Sequence, residues 1–372
     1  MNEDHGDAGG AARTRGARMR VTAWIGCVVA VVATRAAAVQ GLELGFSGGL
    51  RPLDLPGAPP AEDCGGCHPA ELADWQRSMH KAAWTAPVFQ AGYVVEPLEA
   101  CVNCHAPLPE QVAEINTNAA WYRWQRPDTR AGPEPEKRPE PHAGEGITCA
   151  VCHVRDGAVL AVHADDAAPH PIAVEPRLGG SELCANCHEF NAVAVRDGVA
   201  RVVDEVMQST YSEWVASGEG SCQSCHMPEG RHLFRGANDR ELLRSSLTVT
   251  AERRGARVVL TLASRGVGHD LPTGDLFRHL TVEVDRGAGF EVVARIGRTF
   301  ALAHSPDGAL VRETSDNRLK PGERREVAVR APGAVRWRVV WHDSSEADEA
   351  RAILPIEQIT FLMAEGEEAA RG

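Results

Sequence analysis

Two different hydrophobic rhythms divide the chain. From about residue 240 onward, LTVTAERRGARVVLTLAS alternates apolar and polar positions around a turn at Gly255, the period of a half-buried hairpin. HLTVEVDR, FEVVARIGRTF, RREVAVRA and VRWRVVWHD repeat that alternation. Six or so short strands over ~120 residues predict an antiparallel, immunoglobulin-like β-sandwich across 239–366. The stretch IEQITFLMAEGEEAARG adds a last strand or short helix, with 367–372 as a tail. Residues 61–238 hold no comparable alternation and predict short helices and loops. The clearest helix is Pro69–Pro87, where Leu72, Trp75, Met79 and Ala83 recur at helical spacing. Residues 126–146 carry five prolines and three glycines and predict an exposed loop, and 41–60 is a Gly- and Pro-rich linker. The expected fold class is therefore α + β multidomain, a helix-and-loop region followed by an antiparallel sandwich.

At the start, Arg13, Arg15, Arg18 and Arg20 precede an apolar run from Val21 to Ala33, followed by Arg35 and the small residues Ala36, Ala37 and Ala38. This is the layout of a secretory signal peptide over 1–40, too short an apolar run for a comfortable membrane span. An uncleaved anchor is the alternative, and Met19 is an alternative start. Cys27 falls within the apolar run as an ordinary residue of it. The expected location is outside the cytoplasm: the periplasm, with the cell surface or a membrane-anchored form as alternatives. Among 372 residues, 51 are Asp or Glu and 39 Lys or Arg, a formal net charge of −12. That balance excludes a general nucleic-acid binder, which needs a basic face.

Aromatic residues are only 5% of the chain, so something other than Phe, Tyr and Trp must fill part of the interior. The cysteines indicate what. Ten of the eleven fall into Cys-x-x-Cys pairs, and a histidine follows every pair: Cys64/Cys67/His68, Cys101/Cys104/His105, Cys149/Cys152/His153, Cys184/Cys187/His188 and Cys222/Cys225/His226. This is the attachment signature of c-type haem. The two thiols add across the two vinyl groups of one haem, so they must sit about one turn apart, and the adjoining imidazole becomes the proximal iron ligand. Zinc knuckles or disulfides also use paired cysteines, but neither needs a histidine after each pair. Five such coincidences have a chance probability on the order of 10⁻⁷. The expected cofactor is five covalent haem c groups in 61–238, about one per 36 residues, dense enough for porphyrin to replace the usual apolar core.

Five irons need further ligands if all are saturated. Outside the motifs, the chain after the leader offers His80, His142, His163, His170, His232, His269, His279, His304 and His342. His80 lies twelve residues after His68, His142 seven before Cys149, His170 fourteen before Cys184 and His232 six after His226, separations that suit a neighbouring haem. His279, His304 and His342 fall on sandwich strands or loops and are expected to be surface or hydrogen-bonded histidines rather than ligands. Met79, Met207 and Met227 are the other possible axial donors, with Met227 expected to pack.

At these residues the chain resembles the cytochrome c-552/4 domain family, which includes the nitrifier tetrahaem cytochrome. The similar segments are DWQRSMHKAAW, EGITCAVCH, YSEWVASGEGSCQSCHMPEGRHLFRG and GHDLPTGD. The resemblance implies multihaem electron transfer and distal ligation by His80, His142, His232 and His269, the last reaching back from the β region. The chain lacks the CxxCK site of pentahaem nitrite reductases and has fewer haem motifs than the octahaem oxidoreductases.

Three functions follow as expectations. The first is an exported electron carrier, whose acidic surface suits redox partners with a basic docking face. The second is an oxidoreductase with one open haem iron acting on a small nitrogen species. The third is a cytochrome subunit docked through its β-sandwich to a membrane or surface complex, or to copies of itself.

Overall fold

A computed structural model describes residues 55–95, 98–117, 143–196, 199–305, 308–345 and 354–370. The leader with Cys27, most of the linker, most of the 126–146 loop, Trp121, Trp124 and His142 lie outside the described residues. The described chain is a mixture of short helices and largely antiparallel sheets.

The alternating segments form the strands that their patterns predict. A three-stranded sheet runs in the order β11–β7–β6, with β6 Leu247–Arg254, β7 Arg257–Ser264 and β11 Arg324–Arg330. The β6–β7 hairpin turns at Gly255, whose φ of +65° favours glycine. A seven-stranded sheet has the order β13–β12–β8–β9–β10–β4–β5. Its later strands are β8 His279–Asp285, β9 Phe290–Ser305, β10 Gly308–Asp316, β12 Val335–His342 and β13 Thr360–Glu368. A single core joins the two sheets, including Leu260, Leu262, Leu280, Val282, Ile296, Leu319 and Val339, with Trp337 and Trp341.

The region before 239 departs from the helix-and-loop expectation. It contains β1 Val154–Arg155, β2 Ala158–Ala161 and β3 Ile172–Val174, which form their own small sheet. It also contains a long hairpin, β4 Glu189–Arg196 and β5 Val199–Ser209. Ala309 of β10 pairs with Val195 of β4, so the hairpin continues the larger sheet. The near-continuous apolar run FNAVAV, an Asp-Gly pair and VARVV carry the hairpin signal. The histidine motifs on either side outweighed it.

The helix expected over Pro69–Pro87 ends early, at Trp75, and a second helix covers Pro87–Val95. Two side-chain bonds account for the break. Ser78 Oγ donates to the Trp75 carbonyl at 2.7 Å, and Trp75 Nε1 donates to the Ile147 carbonyl at 2.7 Å. The chain between the helices proceeds by turns, which frees His80 from a helical face.

Two β-region histidines are hydrogen-bonded inside the sheet, His279 fully buried and His342 nearly so, whereas His304 is exposed. The rings of His279 and His342 stack at 4.3 Å with an interplanar angle of 8°. His279 Nδ1 meets the Phe277 carbonyl at 3.0 Å, and His342 Nε2 meets Thr281 Oγ1 at 3.0 Å. Burial, with His342 and Arg295 nearby, pushes His279 down to about 4. Unfolded, this imidazole takes up a proton near pH 6.5; folded, it resists until about pH 4. Its contribution is therefore complete above pH 6.5 and is lost as pH falls toward 4, by about 3 kcal/mol. Thermal unfolding of His279→Gln at pH 7.5 and 4.5 should show a smaller acid loss of Tm than wild type; an equal loss would contradict the assignment.

Candidate functional site

Four of the five motifs form short helices that end on their histidine: Glu99–His105, Cys149–His153, Glu182–His188 and Cys222–His226. In the first motif Cys64 lies in the helix Ala61–Gly65, and His68 precedes the helix Pro69–Trp75. Helical spacing of three and four places both thiols and the imidazole on one side of the turn. Ser221 fixes the start of the fifth motif, its hydroxyl accepting from Ser224 N at 3.1 Å in a capping box.

Three motif histidines face a histidine from elsewhere in the chain. His188 and His80 have ring centroids 6.4 Å apart, His153 and His232 6.1 Å, and His226 and His269 6.2 Å. These rings are too far apart for direct stacking. A metal–imidazole nitrogen bond is about 2.0–2.1 Å and the nitrogen lies about 1.1 Å from the centroid, so two axial imidazoles on one metal put their centroids about 6.3 Å apart. All three pairs have that spacing. His80, His232 and His269, singled out from the sequence, are thus each brought to a motif histidine.

The remaining ring atoms fit the same role. An axial imidazole uses one nitrogen for the metal and its other N–H for a second partner. His105 Nδ1 meets the Ala83 carbonyl at 2.7 Å, His153 Nδ1 the Leu160 carbonyl at 3.0 Å, and His269 Nδ1 the Asp270 carbonyl at 2.9 Å. His226 Nδ1 bonds the Arg235 carbonyl. His188 is the exception: its Nδ1 accepts from Gln208 Nε2 of β5 at 3.1 Å instead of donating to a carbonyl. Burial, helped by neighbouring imidazoles, pushes His80 down to about 3 and His188 to about 4. His105, His232 and His269 are lowered as well, burial again being the largest cause. Neutral imidazole is the form that ligates a metal.

His80 owes its place to a close crossing of two segments. Ile147 N donates to the His80 carbonyl at 2.9 Å, and Gln111 Nε2 donates to the Gly146 carbonyl at 3.0 Å. Gly146 has a φ of +60°, and a Cβ there would lie 2.8 Å from the Lys81 carbonyl and closer still to that of His80. Gly146→Ala should cost about 2–3 kcal/mol and loosen His80. Thermal unfolding checks the first effect, and a change in the environment of the His80 ring by NMR the second.

Cysteines of different motifs also meet. The thiols of Cys64 and Cys149, of Cys104 and Cys187, and of Cys184 and Cys222 are close enough to shift one another's protonation. Cys152 is close enough to influence both Cys184 and Cys187 electrostatically. The attachment points therefore run 1–3–4, with 2 and 5 both adjoining 4. His80 in turn feels His188, His226 and His105, which places site 4 at the centre.

Cys67 and Cys225 differ from the other motif cysteines. Both are exposed, whereas the other eight motif cysteines are half-buried. Cys67 follows the end of the helix Ala61–Gly65 in a turn, and Cys225 lies on the helix Cys222–His226, which has no buried residue.

The other candidates stand apart. His105 stacks on Phe89 at 3.7 Å and 10°, within a small cluster that includes Trp84 and Tyr93. His68 and His163 are exposed. His170 is half-buried, and its Nδ1 is buried without a hydrogen-bond partner. His142 lies outside the described residues. Among the described residues, no group of three or more His, Cys, Asp or Glu is arranged to hold a metal ion.

Phe234 was not anticipated. It packs on His80 at 4.0 Å and edge-on to His232 at 5.9 Å, separating two distal candidates. Its φ of +44° is in the left-handed region, and the only sequence cue is its position in HLFRG, two residues after His232.

No protein-family profile matches the chain, and no curated protein matches it. Among solved structures, a penta-heme cytochrome c552 from Thermochromatium tepidum aligns with a TM-score of 0.57 and 21% identity, over 84% of this chain and 98% of that one. The two share a fold. A superoxide reductase in the oxidised state aligns over 34% of this chain and 88% of its own at 12% identity, but a TM-score of 0.17 is too low to indicate a common fold.

Proposed function

We propose that the chain is an exported multihaem c-type cytochrome that transfers electrons between redox partners through five covalently attached haems. The observation that carries this reading is the imidazole geometry: three motif histidines each face a second histidine at 6.1–6.4 Å. The fold shared with a penta-heme cytochrome supports it.

Cys64/Cys67, Cys101/Cys104, Cys149/Cys152, Cys184/Cys187 and Cys222/Cys225 would tether the haems, with His68, His105, His153, His188 and His226 as proximal ligands. His80, His232 and His269 close the fourth, third and fifth sites. His142 and His170 are the remaining proposed donors, the Nδ1 of His170 being buried without a hydrogen-bond partner. When bound, each haem supplies a one-electron ferric/ferrous couple. The chain's residues would set its potential: neutral imidazoles would supply the ligation, and the carbonyls of Ala83, Leu160, Arg235 and Asp270 orient the rings and raise their basicity. Thiol contacts between motifs keep the attachment points adjacent, while the exposed Cys67 and Cys225 put the first and fifth sites nearest solvent. The net charge of −12 favours a partner with a basic face. Among the described residues, no helix is long and apolar enough to cross a membrane.

A second reading, an oxidoreductase with an open iron acting on a small nitrogen species, is favoured by His105, whose observed ring neighbour is Phe89 rather than a second imidazole. Ferric EPR of the purified holoprotein, with and without nitric oxide, separates the two. The carrier predicts low-spin bis-imidazole signals unaltered by nitric oxide. A high-spin signal that nitric oxide abolishes would move the assignment to the enzyme.

A further inference from the structure

His269 lies on the loop between β7 and β8, so its ring reaches site 5 only if the loop is held. The side chains around it form a buried ionic clamp. Arg318, between β10 and β11, has a side chain 5% exposed. Its Nη1 is 2.6 Å from Glu213 Oε1, and its Nη2 is 3.3 Å from Asp270 Oδ2 and 2.7 Å from Asp316 Oδ2. Glu213, 7% exposed, belongs to the helix Thr210–Ser217, just before motif 5. Its Oε2 accepts from Thr273 Oγ1 at 2.6 Å and from Asp270 N at 3.3 Å, while its Oε1 accepts from Ser209 Oγ at 2.7 Å. Lys320 Nζ closes on Asp270 Oδ2 at 2.6 Å.

The residues flanking His269 are thus pinned on both sides. Ser217 Oγ donates to the Gly268 carbonyl at 2.8 Å, from the same helix that carries Glu213. On the other side Asp270 is held by Glu213, Arg318 and Lys320, and Leu271 pairs with Leu319 through backbone bonds of 2.8 and 3.0 Å. The Asp270 carbonyl, which takes the His269 ring N–H, lies inside this clamp.

We propose that Arg318 and Glu213 are positioning residues for His269: the clamp they form holds the loop's imidazole opposite His226 and so keeps the fifth haem iron six-coordinate. The clamp spans the chain, since Glu213 precedes motif 5 and Arg318 comes from the sandwich. The β region then completes a haem site from a distance of more than forty residues of sequence. The proposal rests on His226 and His269 being the axial pair of site 5. Removing one member of a buried pair leaves the other charge uncompensated, and outer-sphere partners of metal ligands typically affect ligand binding by about ten- to a hundredfold.

The test uses the ferrous holoprotein, with carbon monoxide as the probe of an open iron and EPR of the ferric form for spin state. His269→Ala serves as the reference and should make one haem high-spin and able to bind carbon monoxide. Arg318→Met and Glu213→Gln should each raise carbon monoxide binding at one haem about ten- to a hundredfold over wild type. Arg318→Lys should fall between these and wild type, since it keeps charge without the planar fork. Added imidazole should restore the low-spin signal. Intact mass and thermal unfolding identify the variants that fold with a full haem complement, and Glu213→Gln, which preserves volume, stands in if Arg318→Met does not fold. If His269→Ala opens an iron while folded Arg318→Met and Glu213→Gln remain low-spin and inert to carbon monoxide, the clamp is overturned and the ligation stands. If His269→Ala itself leaves every iron closed, the ligation of site 5 fails and takes the clamp with it.

Discussion

Made without haem attachment, the protein should lose the structure of residues 61–237 while the sandwich strands stay protected. Among the described residues, the buried cluster of the sandwich has 19 members, against six, four and two in the clusters around the motifs. A fully buried aliphatic or aromatic side chain contributes about 1.5–3 kcal/mol. Ordering a residue's backbone costs about 1–2 kcal/mol, so clusters this small cannot hold so long a stretch. The missing stabilisation must come from apolar macrocycles and axial bonds, so that cofactor binding is largely folding free energy. Hydrogen exchange of the protein from hosts with and without cytochrome maturation checks this. Amides of the motif helices should exchange at least ~100-fold faster in the haem-free form, and those of β7, β8 and β12 should change little. Equal protection of the motif helices in both forms would contradict it.

Changing the distal ligand at the central site should have the largest redox effect. His80 is half-buried, lies 6.4 Å from His188 and is covered by Phe234 at 4.0 Å, and both His105 and His226 act on it. His80→Ala should turn one haem in five high-spin. His80→Met should keep that haem low-spin, because thioether is an alternative axial donor, and raise its potential on the order of 0.1 V. As the attachment points of motifs 2 and 5 both adjoin that of motif 4, the potentials of those haems should shift in turn. A potentiometric titration followed by EPR reads both effects; an unchanged titration curve for His80→Met would remove His80 from the iron.

What the sequence made legible followed the length scale of each signal. The proximal histidines sit in a contiguous five-residue motif, so no fold is needed to find them. That Cys67 and Cys225 are exposed while their partners in the same motifs are half-buried was not legible, because burial depends on which motifs adjoin in space. The strands β6, β7, β8, β11 and β12 carry period-two alternation over seven residues or more, long enough to register, whereas β10, GALVRETSD, does not alternate and was not foreseen. His80, His232 and His269 were picked out by their neighbourhood and by resemblance, but which motif each one faces depends on contacts between distant segments. Local spacing cannot encode that His80 meets His188 or that His232 meets His153. The Arg318–Glu213 clamp was invisible for the same reason, since its members are 105 residues apart. The β4–β5 hairpin was not foreseen: its signal is a near-continuous apolar run and an Asp-Gly pair without sustained alternation, between two cysteine motifs. The long helix over Pro69–Pro87 failed because periodicity does not register the side-chain bonds of Ser78 and Trp75 that end it.

The central claim is that every Cys-x-x-Cys-His carries a haem, and intact-mass measurement of the denatured protein from a maturation-competent host addresses it most directly. Thioether links survive denaturation, so the account predicts a mass above the polypeptide, allowing for removal of any leader, by five haems, about 3 kDa. A mass equal to the bare chain, or an increment of fewer than five haems, would contradict it.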